Sequence, residues 1–374
     1  MQVASTPIAA IDTVGLGGAF LSALARTAFR RPWSGPEGPV RNVAVATTRE
    51  LVRSLMGYMT SLPIDEFRAL EKVLDDLSQV ALPPFVAVQG VHAEHSSVAG
   101  VPGMWFRSTQ SDPRGTLLYL HGGGYIGTSP TMYSVFMAHL ARVTRCQVFA
   151  PDYRLAPEFP YPAATDDVLA VMRALLKAGV PDDRLFVAGD SGGGGLAGSV
   201  LNACVLSGVR LPDAVVLFSP EVSLRLGKPS VRENAALDVL PWNVPTNPYL
   251  HGHSAEDPAV DLLVQDLSLW PPTFVSYGGD EVFRDPIRDF VERLRAAGVP
   301  YQAHEVEHMF HVFPFLLPWA YESREVYRQV GDFLAMVSQT APHRTAEPLV
   351  NTPPVAATTK PARRRRAGSA SPTA

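Results

Sequence analysis

Three side chains far apart in this sequence could act together on a carbonyl carbon: a serine in a glycine-rich turn, a histidine and a carboxylate. Ser191 stands in Gly189-Asp190-Ser191-Gly192-Gly193, which fits G-x-S-x-G, the sharp strand-to-helix turn that presents a serine in a strained, exposed position. Glycine flanks such a turn because neighbouring backbone passes within side-chain distance, and here glycine runs on from Gly192 to Gly195. Each glycine in a helix start costs up to about 1 kcal/mol relative to alanine, so the run needs a reason. Cleared space, with the Gly192 N–H aimed at a reaction centre from a helix N-terminus, supplies one.

A second glycine cluster, His121-Gly122-Gly123-Gly124-Tyr125, follows the apolar run 116–120. Here backbone N–H groups can turn inward and donate to a developing oxyanion. His121 precedes the turn and reads as structural. A serine hydroxyl needs a base, and the base needs an orienting acid. His311 lies in Glu307-His308-Met309-Phe310-His311, after the last predicted strand. Asp280, Glu281 and Asp285 lie just past the run 273–277. The order serine, acid, histidine is that of an α/β sheet carrying its site at the carboxyl ends of its strands. The residues alone leave the choice of acid open.

Positioning these groups requires elements that the sequence outlines. Apolar runs at 116–120, 147–150, 184–187, 214–218, 273–277 and 301–306 alternate with helical patterns at 131–142, 163–178, 193–206, 285–297 and 321–337. This is the signature of a mostly parallel central sheet with helices on both faces. Helical patterns also occupy 48–62 and 65–80, and an apolar stretch at 14–25, too short to span a bilayer, reads as a helix that packs on the protein or lies on a membrane surface. The organisation expected is an N-terminal helical region at 1–84, a catalytic α/β domain at 85–339 interrupted by an insertion at 223–269, and a disordered basic tail at 340–374.

The bulk numbers agree with a globular protein: 46% hydrophobic and 18% charged residues. The formal net charge is −4, yet residues 341–374 hold Arg344, Lys360 and Arg363 to Arg366 against Glu347 alone, so the body is more acidic still. Such a body is a poor general binder of nucleic acid. The Arg363 to Arg366 cluster reads as part of a solvated tail. Cys146 and Cys204 read as buried thiols, and neither has metal-ligand spacing.

The segments HGGGY (121–125), DYRLAPE (152–158) with Pro160 and Pro162, GDSGGG (189–194), GGDEVFRD (278–285) and HMFHVF (308–313) together resemble the hormone-sensitive-lipase-like esterases, bacterial family IV of the α/β-hydrolase fold. The resemblance covers residues from about 85 to 339 and implies a serine carboxylic-ester hydrolase. It also implies a helical cap, made largely from the N-terminal helices with a contribution from 223–269, and an architectural DYRLAPE segment with Glu158 buried in polar contacts. Carried over by position, Ser191 is the nucleophile, His311 the base, Glu281 the acid with Asp280 as runner-up, and Gly123, Gly124 and Gly192 the oxyanion donors. Asp285 is expected to support the following helix. The sequence departs from the family after Ser219-Pro220, where Glu221 replaces the frequent aromatic residue.

The expected substrate is an ester of short to medium acyl chain, with no cofactor and no metal, in a cytoplasmic protein. An amidase or lactonase on the same triad is the alternative, as is a non-catalytic ligand-binding member of the fold. Peripheral membrane contact and pairing into a homodimer stay open. Two other motifs compete. Gly122 to Gly127 and Gly193 to Gly198 each match G-x-G-x-x-G, but Pro130 and the segment before it delay the helix that a pyrophosphate needs. His304-Glu305-Val306-Glu307-His308 is a literal H-E-x-x-H, which binds zinc only on a helix, whereas 299–306 reads as a strand.

Overall fold

The computed structural model describes residues 6–30, 38–109, 112–180, 184–240 and 247–340. All but the first residue of the expected basic tail therefore lies outside the described residues. Eight strands form one sheet: β1 Val91–Val98, β2 Val101–Ser108, β3 Thr116–Leu120, β4 Gln147–Pro151, β5 Leu185–Asp190, β6 Ala214–Phe218, β7 Thr273–Gly278 and β8 Tyr301–Val306. Their order is β1-β2-β4-β3-β5-β6-β7-β8. The hairpin β1–β2 and the pair β2–β4 are antiparallel, and every other neighbouring pair is parallel.

Helices α1 Thr6–Thr27, α2 Pro39–Ser61, α3 Ile64–Ala81 and α4 Pro83–Ala87 precede the sheet. Within it come α5 Ser134–Thr144, α6 Ala163–Ala178, α7 Ser191–Ser207, α8 Pro229–Glu233 and α9 Asn247–Leu250. The chain ends its described part with α10 Arg284–Ala296, α11 Phe313–Leu316 and α12 Tyr321–Thr340.

Strand side chains alternate between the two faces of a sheet, and both faces here are covered. Leu118, Leu120, Val187, Leu217 and Val275 point into one core with α6, α7 and α10, for example against Met172, Val200 and Phe290. Their neighbours Leu117, Tyr119, Ala188, Val216 and Phe274 point into the other with α5 and α12, against Met137 and Leu334. That double burial is why the parallel strands read as unbroken apolar runs rather than alternating ones. A third, smaller core joins α1, α2 and α3 through Leu16, Met59, Phe67 and Leu70.

The hairpin β1–β2 is absent from the sequence reading, and the reason is physical. β1 is an edge strand with most of its residues exposed, so its polar sequence carries no apolar run. β2 holds Pro102 and Gly103, which argue against a strand. Gly103 is there because a Cβ would overlap Ala150 O of the adjacent strand. Among the described residues, no helix is long and apolar enough to cross a membrane.

Candidate active site

The carboxyl ends of β3, β5, β6, β7 and β8 lie along one rim of the sheet, and each turn leaving that rim contributes a site residue. Ser191 is the first residue of α7, directly after β5, and adopts φ +51°. A non-glycine residue in that region stores about 1–3 kcal/mol of strain, sustained here by close packing on every side. A Cβ on Gly193 would overlap the carbonyls of Leu120 and His121, and one on Gly195 would strike the Tyr125 hydroxyl and the Glu221 carbonyl. The glycine run exists because α7 begins wedged between the turns that follow β3 and β6.

Asp190 ties the nucleophile turn to the glycine loop. Its buried Oδ1 accepts from Tyr119 Oη at 2.7 Å and from the Gly122 N–H at 2.9 Å, and its Oδ2 accepts from Tyr133 Oη at 2.8 Å. Burial pushes this carboxyl up to about 6, against the pull of those donors. The Gly122 N–H is thereby committed, and the turn continues with Gly123 at φ +115° and Gly124 at φ +61°. Both line a cavity with Ser191, and Gly192 abuts Gly124, since a Cβ there would come to 3.2 Å from Gly124 Cα. His121 is structural, as expected: its ring is buried, stacks on Tyr153 at 4.4 Å, and places Nδ1 2.9 Å from Thr128 Oγ1.

On the other side of the cavity, His311 Nδ1 lies 3.2 Å from Glu281 Oε2, both side chains buried. Burial lowers the pKa of the imidazole, with the carboxylates of Asp238 and Asp190 opposing that shift, and burial raises the Glu281 carboxyl. The shift favours the neutral imidazole. Its Nε2 is buried and has no hydrogen-bond partner among the described residues, so the Ser191–His311 hydrogen bond is open in this structure although both residues line one cavity. Asp280 turns away: its carboxylate pairs with Arg49 of α2 at 3.1 Å, and Arg49 also donates to His308 O. Asp285 sits in the first turn of α10, where it accepts from the Ser230 N–H at 2.9 Å and pairs with Arg284.

The sequence reading missed the group that holds this half together. Asp238, in the stretch between β6 and β7, is fully buried. Its Oδ1 accepts from the N–H groups of His311 at 2.9 Å and Val239 at 2.7 Å, and its Oδ2 from the Val282 N–H at 2.7 Å. One carboxylate therefore fixes the backbone beside the acid and at the base. Burial pushes it up to about 6. Asn234 adds a bond from Nδ2 to Glu281 O at 2.8 Å. No motif announces either residue; their only signal is polar residues inside a stretch too long for a simple loop.

The cavity measures about 390 Å³ and is walled by Met56, Met59, Phe67, Leu74 and Leu77 of α2 and α3 and by Phe283. The α3 helix grips the turns beneath it. Arg68 meets Glu158 in two parallel bonds of 2.9 and 2.8 Å, and Glu71 accepts from the Thr128 N–H. Glu158 thus makes the polar contacts expected of it but is not buried, because Arg68 reaches it from α3 at the surface. The competing motifs dissolve in this geometry. His304 lies in β8 and His308 in the turn after it at φ +62°, not on one helical face. Helix α5 begins only at Ser134, well beyond the first G-x-G-x-x-G.

The family model described as "alpha/beta hydrolase fold" matches residues 117–315. An acetyl-hydrolase of Streptomyces hygroscopicus is 36% identical over 234 residues, 62% of this chain and 78% of the relative. An esterase of Acinetobacter venetianus is 30% identical over 271 residues, 71% of this chain and 88% of the relative. The crystal structure of an esterase from the bacterial hormone-sensitive lipase family superposes with a TM-score of 0.68 at 30% identity, covering 78% of this chain and 98% of that one. The chain belongs to the hormone-sensitive-lipase-like esterases of the α/β-hydrolase fold.

Proposed function

We propose that this member of the family hydrolyses carboxylic esters by two-step acyl transfer on Ser191. His311 takes the hydroxyl proton through Nε2 as Ser191 attacks the ester carbonyl, and Glu281 holds the imidazole in the tautomer with Nδ1 protonated. The N–H groups of Gly123, Gly124 and Gly192 stabilise the oxyanion, and water then cleaves the acyl-enzyme with His311 again as base. The observation that carries this reading is the buried Glu281–His311 pair facing the same cavity as a strained serine at a helix N-terminus. A rotation of the serine or imidazole side chain on substrate binding would close the open Ser191–His311 bond, since catalytic hydrogen bonds are often long before substrate arrives.

Helices α1 to α4 act as the cap over residues 85–339, and the stretch 223–269 contributes through Val239 and Leu240 in the cavity wall and through Asp238 O, which accepts from Arg53 of α2 at 2.8 Å. An apolar wall around about 390 Å³ suits a short to medium acyl chain. Exposed Ile11, Val14 and Leu21 on α1 favour peripheral contact with a lipid surface. The test is turnover of p-nitrophenyl butyrate: Ser191→Ala and His311→Ala each remove all but residual hydrolysis while the protein still melts cooperatively. Full activity in Ser191→Ala overturns the reading.

A further inference from the structure

One buried acid at the site has no part in this chemistry. Glu221 follows Ser219-Pro220 at the end of β6 and is 2% exposed. Its backbone N–H donates to Ser191 O at 2.9 Å, which sets the residue against the nucleophile's own peptide. It lines the cavity with Ser191, Gly123, Gly124 and His311. Among the described residues its carboxyl makes no hydrogen bond, and Oε1 is buried without a partner.

The other carboxylates of this rim contrast with it. Asp190 has two tyrosine hydroxyls and a backbone N–H, Asp238 has three backbone N–H groups, and Glu281 has His311. A buried polar group left unpaired costs about 1–3 kcal/mol, and nothing in the fold requires an acid at this position. The stacked rings of Tyr125 and Tyr249, 3.9 Å apart, lie nearby without bonding it. Burial pushes this carboxyl up to about 8, as it does that of Glu281, but Glu221 has no imidazole beside it to favour the charged form, so it is the one that rests as the acid, with one O–H to donate and oxygen lone pairs to accept.

The partner that fits must come with the substrate. An ammonium group would have to leave water for a cavity whose walls are otherwise almost wholly apolar, and a carboxylate would bring the same cost with no positive charge to meet it. A neutral hydroxyl donates and accepts, as the carboxyl does. We propose that Glu221 is a specificity-determining residue that reads a hydroxyl close to the scissile bond, so that the substrates of this enzyme are hydroxy-bearing esters. The proposal rests on the ester-hydrolase reading and narrows it.

Two pairs of substrates test it: p-nitrophenyl butyrate against its β-hydroxybutyrate, with the hydroxyl on the acyl part, and propyl butyrate against glycerol monobutyrate, with it on the alcohol part. The readout is the ratio of kcat/KM within each pair. We expect the wild-type ratio to favour the hydroxy ester in at least one pair. Glu221→Leu lowers that ratio by roughly 10- to 100-fold, the effect of losing the one group that pairs with the hydroxyl. Glu221→Gln, which also donates and accepts, retains most of it, and Glu221→Leu melts no lower than wild type because an unpaired acid is gone. Ratios unchanged in both pairs, or a Glu221→Leu protein that melts lower and loses each pair's members equally, overturn the proposal and leave a structural glutamate. Wild-type protein that turns over none of the four esters removes the ester-hydrolase reading itself, and this proposal with it.

Discussion

The two halves of the site are built by different means. The nucleophile half is held chiefly by backbone packing: α7 starts against the carbonyls of Leu120 and His121, Ser191 is forced to φ +51°, and one side chain, that of Asp190 next to Ser191 in sequence, ties the glycine loop to the turn through the Gly122 N–H. The base half is held by side chains brought from afar: Asp238 and Asn234 from the stretch between β6 and β7 fix the turns carrying Glu281 and His311. Backbone packed on backbone tolerates no added atom, whereas side-chain anchoring can be loosened in steps. The first half should therefore fail abruptly under mutation and the second by degrees, except at the acid itself.

That exception gives the largest effect. Glu281→Gln leaves the shape but favours the wrong imidazole tautomer, and should cost about 10⁴-fold in kcat by analogy with the same change in a serine protease triad. Asp280→Asn removes an ion pair to Arg49 and leaves the Glu281–His311 pair in place, so it should cost far less in kcat than the change at Glu281. Steady-state kinetics on one ester rank the two, and the reverse ranking reassigns the acid.

Gly193→Ala probes the backbone half. The added Cβ has only main-chain carbonyls to displace, so the turn must shift, at about 1–3 kcal/mol of stability or more. Moving the Gly192 donor with it should cost about 10²-fold or more in kcat. A melt together with a kcat measurement checks both; an active, fully stable Gly193→Ala protein would show that the turn is looser than its packing.

The same division explains what the sequence made legible. Parallel strands buried on both faces appear as apolar runs, and turns that must admit backbone appear as glycine, so β3 to β7, the GDSGG turn and the HGGG loop could be read directly, whereas β8, partly buried at the far edge, carries a weaker signal. Ser191 and His311 followed from order along those strands. The choice of Glu281 over Asp280 came from resemblance, because adjacent carboxylates differ only in which way the turn points them. β1 and β2 escaped because an edge strand and a Pro-Gly strand carry no apolar signature. Asp238 escaped because a carboxylate that accepts from three backbone N–H groups looks, in sequence, like any surface aspartate.

Asp238→Asn tests the side-chain half. In the isosteric amide an N–H₂ must face either the Val282 N–H or the two N–H groups of Val239 and His311. One buried donor then opposes another, at about 1–3 kcal/mol. The expected loss in kcat is about 10- to 100-fold, smaller than at Glu281 because the acid and base remain in place. Unchanged kcat would mean that the base half is held by something other than Asp238.

The pH profile gives the smallest effect and the one whose sign discriminates best. Facing His311 are Glu281 from the turn before α10, Asp238 from the stretch after β6 and Asp190 at the end of β5; the nearby cation Arg49 is engaged by Asp280 and His308 O. Because burial lowers the imidazole below its usual 6.5, kcat/KM should rise with pH through a midpoint below 6.5 and stay high above it, as the neutral base is needed. Removing the Asp238 carboxylate withdraws one of the charges that support the imidazolium. In Asp238→Asn the midpoint should therefore fall further. If Asp238 merely stiffened the turn, loosening it would let water reach the ring, relieve the desolvation and move the midpoint up towards 6.5 instead.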